Sequence, residues 1–94
     1  QLEQRRRERD SELEALRARW RSAGARVARY QATIEPLARA EAEAALAAYR
    51  GGGGDLADAV DATHSAERAS LDALDAVADQ ASAWVALRYL LPES

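Results

Sequence analysis

Four consecutive glycines, Gly51 to Gly54, interrupt a chain that reads as helix on both sides. Glycine is nearly as comfortable at positive φ as at negative φ, and in a helix interior it costs about 1 kcal/mol per residue against alanine. Four in a row stop a helix and permit a sharp reversal. Directly before them stands Leu46-Ala47-Ala48-Tyr49-Arg50, and directly after them Asp55-Leu56-Ala57-Asp58-Ala59-Val60-Asp61-Ala62. Asp55 has the chemistry of an N-cap, able to accept from the amide of Ala57 or Asp58. Asp58 at the third helical position completes a variant capping box at the positive end of the new helix. The expected fold is therefore all-α: a long antiparallel coiled-coil hairpin with a glycine tip, its arms at about residues 3–50 and 56–91, its tip at 51–54, and all of 1–94 one unit.

The two arms pattern differently. In the first, Leu13, Leu16, Trp20, Ala23, Val27, Tyr30, Ile34 and Leu37 recur at alternating three- and four-residue steps, the spacing of a coiled-coil seam. Gly24 inside this run lets a neighbour approach closely. Pro36 has no amide hydrogen for the carbonyl of Ala32, so a bend is expected near 32–36. Small residues follow from Ala38 to Ala48, which permit a short interhelical distance. The second arm places Leu56, Val60, Leu71, Leu74, Val77, Ala81, Trp84, Leu87 and Leu91 among many alanines before Pro92. That wider apolar surface is expected to meet more than one neighbour. At 1.5 Å per residue the arms are about 70–75 Å and about 50–55 Å long, lengths suited to a stalk or a tube wall.

Charge is divided between the arms. Residues 1–50 carry eleven arginines against eight acids, and residues 51–94 carry two against eight, so a net +3 faces a net −6. Opposite signs favour pairing the arms side by side. The Arg5-Arg6-Arg7 run is interleaved with Glu3, Glu8 and Asp10, so it reads as a solvated helical face and not as a nucleic-acid footprint. Two rods bury too little surface to stand alone, so self-association of this hairpin is expected. The lack of any methionine and the opening Gln1-Leu2-Glu3, already helical in character, suggest a segment of a longer protein. No signal peptide or apolar membrane span is visible within it.

Catalysis has little to stand on: there is no cysteine, and the lone His64 has no serine–acid partners at a usable spacing. The chain is expected not to be an enzyme and to need no cofactor. Asp58, Asp61 and His64 form a ladder three residues apart that could loosely hold a cation, but a capped helix start with exposed polar residues is the plainer explanation. Tyr49, level with the two aspartates, either packs on Leu56 or bonds to a carboxylate on a neighbouring hairpin.

Taken in order, Tyr30, Ile34-Glu35-Pro36-Leu37-Ala38, Ala45 to Arg50, Gly52, then Leu56, Asp58, Asp61-Ala62, and finally Ala83-Trp84, Leu87 and Tyr89-Leu90 resemble the second periplasmic hairpin of TolC-type outer-membrane efflux channels, in their heavy-metal cation branch. The resemblance implies a homotrimer with a β-barrel in the outer membrane and an α-helical periplasmic tunnel. This chain would be one tunnel hairpin of a tripartite drug or heavy-metal pump, working with a periplasmic adaptor and an inner-membrane transporter. It implies gating roles for Tyr49, Asp58 and Asp61, and adaptor docking at Arg50, Gly51, Gly52, Gly53, Gly54 and Leu56. Where the prototype of the family carries a basic residue, this chain has Gly54, leaving Arg50 as the nearest replacement. Three other readings compete: a hairpin of the adaptor itself, a generic coiled-coil scaffold, and a metal-binding hairpin.

Overall fold

The computed structural model describes residues 1–90. The first arm comprises α1 (Leu2–Arg29), a five-residue π-helical turn (Tyr30–Ile34) and α2 (Glu35–Arg50). The chain reverses through the glycines, and the second arm is a single helix, α3 (Leu56–Leu90). The molecule is an all-α hairpin, 72 Å in its longest dimension. Leu91, placed at the end of the second arm by sequence, lies outside the described residues.

The arms do not meet where their large side chains predict. Ala59, Ala69, Ala73, Ala76 and Ala83 are buried on α3, with Ala62 and Ala66 partly so, and Leu87 is the one large side chain buried with them among the described residues. These positions advance by three and four residues and form a seam of methyl groups. Leu56, Val60, Leu71, Leu74, Val77 and Trp84 are all exposed. Alanine allows the backbones to approach closely, and that closeness turns the longer residues outward.

The first arm departs from its expected seam for a different reason. Up to Tyr30 the heptad holds: Leu13, Leu16, Val27 and Tyr30 are half-buried and Ala23 is buried, with only Trp20 turned partly outward. The π-helical turn then inserts one residue, as such bulges do. The seam resumes one position late, at Glu35, Ala38, Ala42 and Ala45. Ile34 and Leu37 are consequently exposed. Pro36 falls in the first turn of α2, where its missing amide is easiest to tolerate. The expected disturbance at 32–36 therefore takes the form of a π turn.

Among the described residues four polar contacts tie the arms together. Arg26 donates from Nη2 to Oδ2 of Asp79 at 2.7 Å, and Arg19 lies 3.8 Å from the other oxygen. These two guanidinium groups hold the Asp79 carboxyl below the ordinary carboxylate range, Arg26 contributing most. Ser70 donates to Glu35 at 3.1 Å, and Arg9 donates to the carbonyl of Leu90 at 3.0 Å near the open end. Gly24 fulfils its expected role, since a Cβ there would stand 2.8 Å from the side-chain nitrogen of Gln80.

With so thin a seam, the chain leaves 7178 Å² exposed. A compact monomer of its mass would expose about 5300 Å². Exposed leucine, valine and tryptophan side chains of α3 are part of that surface.

Candidate functional site: the glycine tip

The tip is built from the end of α2 upward. Gly51 caps the helix in right-handed geometry, and Gly52 takes a φ of 83°. The amide of Gly52 donates to the Tyr49 carbonyl and that of Gly53 to the Ala48 carbonyl, each at 3.1 Å. That pair of bonds is a Schellman closure. Gly54 donates to the same Ala48 carbonyl at 3.0 Å, pressing the turn back on the helix end.

Only two of the four glycines are demanded by geometry. Gly52 needs its positive φ. Gly54 needs the absence of a side chain, because a Cβ would come within 2.9 Å of the Ala48 carbonyl carbon and the Tyr49 nitrogen. Backbone cannot move aside cheaply, so the turn has no room for an arginine at 54. Gly53 borders open space.

The returning helix starts more simply than its sequence suggests. The carbonyl of Asp55 accepts from the amide of Ala59 at 3.2 Å, but its carboxylate takes no hydrogen bond among the described residues. The side-chain cap expected there is not formed; the helix start is exposed, and water can satisfy the free amides in its place.

Around this turn the side chains divide by face. Tyr49 continues the inter-arm positions Ala42 and Ala45 out to the tip, where it is 42% exposed and its hydroxyl has no hydrogen bond among the described residues. On α3, Asp58 and Asp61 are exposed, about 60° apart, along one flank of the alanine seam. Asp72, Asp75 and Asp79 continue that flank at heptad spacing. Leu56 and Val60 occupy the other flank, 53% and 42% exposed. The tip thus presents carboxylates to one side and apolar groups to the other. Arg50, in the last turn of α2, is exposed.

Among the described residues no group of three acids, histidines or cysteines is placed to hold a metal ion, so Asp58, Asp61 and His64 are not brought together as one within the chain. Thr63, on the same helix, spends its hydroxyl on the Ala59 carbonyl at 2.8 Å. Within the described residues no helix is long and apolar enough to cross a membrane.

The Arg19–Arg26–Asp79 cluster was not visible in sequence as a site. Opposite net charge on the two arms was its only signal, and that does not choose partners. Comparison with protein-family models, curated proteins and solved structures finds no match for the chain.

Proposed function

We propose that this chain is the tip-bearing periplasmic hairpin of a trimeric TolC-type outer-membrane efflux channel, in the heavy-metal cation branch. It would form and gate the tunnel entrance and dock the adaptor of a tripartite pump. The observation that carries this reading is the two-faced tip. A tube wall needs one side of each hairpin wet and the other in contact with neighbours. The flank carrying Asp58 and Asp61 suits the first role, and the exposed Leu56 and Val60 suit the second.

Three copies of each carboxylate in a narrow mouth focus negative potential and favour cations. The free Tyr49 hydroxyl is available to a carboxylate on a neighbouring hairpin, where it would hold the entrance shut. Gly54 cannot be replaced by a basic residue within this turn, so a basic contribution to the closed state would fall to Arg50. The turn from Arg50 to Leu56 protrudes as the adaptor-docking surface.

Site-specific cross-linking tests this. A photoreactive side chain at Gly53, which borders open space, is expected to capture the periplasmic adaptor in cells carrying the full protein. The same probe at Asp10, near the open end of the hairpin, should not. Equal capture at both positions, or none at Gly53, would contradict the docking assignment.

A further inference from the structure

The outer surface of α3 carries a second heptad stripe that the hairpin leaves uncovered. Leu71, Leu74, Ala78, Ala81 and Val85 advance by three and four residues, and all five are exposed. Leu71, Leu74 and Val85 are 62%, 65% and 48% exposed, too much for a hairpin that had already found all its partners. The same steps extend the stripe to Glu67 at one end and Arg88 at the other, both exposed.

This arrangement reads nearly the same in reverse once charge is inverted. Turned end over end, the stripe sets Glu67 opposite Arg88. Leu71 then meets Val85, Leu74 meets Ala81, and the small Ala78 pair lets the two helices approach closely at the two-fold axis. Glu67 has no ion-pair partner among the described residues, and the Arg88 guanidinium lies 5.2 Å from the Trp84 ring centre. Arg17 and Arg21 border the groove beside Arg88, whereas the groove beside Glu67 is bordered by Glu35 together with Arg39, which lies 3.7 Å from it. A copy running parallel would instead stack Glu67 on Glu67 and Arg88 on Arg88, which is repulsive.

We propose that this face binds a second copy of the chain in antiparallel orientation, forming a two-fold dimer joined through the outer surfaces of the two α3 helices and closed at both ends by Glu67–Arg88 pairs. The inference does not rest on the channel reading. It concerns the hairpin by itself, and its tips point in opposite directions, unlike the hairpins of a channel.

Sedimentation equilibrium of the 94-residue chain, with circular dichroism as the check on helix content, tests the proposal. The chain is expected to be a dimer at micromolar concentration. Charge reversal at either end, E67R or R88E, is expected to raise the dissociation constant by about tenfold or more, since each reversal acts twice in a two-fold dimer. The double variant E67R/R88E should return it to within about threefold of the starting value. Within one chain these residues are about 32 Å apart along the helix, so such rescue can arise only between chains. A second measurement does not depend on the stability of those variants. Chains carrying E67C mixed with chains carrying R88C should form a mixed disulfide, while E67C chains alone should not. A monomeric chain, a double variant no better than the singles, or ready disulfide formation by E67C alone would each overturn the proposal.

Discussion

Gly54 lies against the backbone of Ala48, so closely that a methyl group on it would stand 2.9 Å from the carbonyl carbon. The turn is therefore a fixed structure with unequal demands on its four glycines. Gly54→Ala should cost about 1–3 kcal/mol, the scale of overpacking against atoms that cannot yield. Gly52→Ala should cost about 1 kcal/mol through its left-handed φ. Gly53→Ala, in open space without positive φ, should stabilise by about 0.5 kcal/mol by restricting the unfolded chain. Thermal melting of the three variants checks the order, with each kcal/mol moving the midpoint by about 4–8 °C.

The alanine seam makes a second, opposite claim about side-chain size. Ala83 is fully buried, whereas Leu37 is 56% exposed. Ala83→Leu should destabilise by about 1–3 kcal/mol, because the arms would have to separate. Leu37→Ala should change stability by no more than about 0.5 kcal/mol. Urea unfolding monitored by circular dichroism distinguishes this from a leucine-packed hairpin, in which Ala83→Leu would be tolerated and Leu37→Ala would be the costly change.

Asp79 gives the pH dependence. Its folded-state pKa is depressed, chiefly by the hydrogen bond from Arg26, so its contribution is fully present above the unfolded carboxylate pKa. That contribution is lost as pH falls through the folded value. Both partners are about half exposed, which keeps the effect modest and salt-sensitive. Melting temperature measured from neutral pH down to about pH 2 should fall less steeply for Asp79→Asn than for the parent chain. Identical slopes would remove the cross-arm role of this carboxylate.

The hairpin, its tip and the close approach at Gly24 were legible because glycine and proline act locally and the heptad acts over many residues. The partners along the seam were not. Alanine signals neither burial nor exposure, so Leu71 and Leu74 drew attention that belonged to Ala69, Ala73 and Ala76. A heptad count also cannot see an inserted residue. Ile34 and Leu37 fit the repeat, yet the π turn at Tyr30–Ile34 moves the seam to Glu35 and Ala38. At the tip, sequence placed Tyr49, Asp58 and Asp61 near one another. It could not reveal that the aspartates and Leu56 occupy opposite flanks, because that depends on which stripe of α3 meets the first arm.

The most direct measurement of the central claim is the reversal potential of channels formed by the full protein in planar bilayers under a potassium chloride gradient. If Asp58 and Asp61 line a shared entrance, as proposed, the double variant Asp58→Ala/Asp61→Ala should lose much of the cation preference and the block by multivalent cations. An unchanged reversal potential and unchanged block would contradict it.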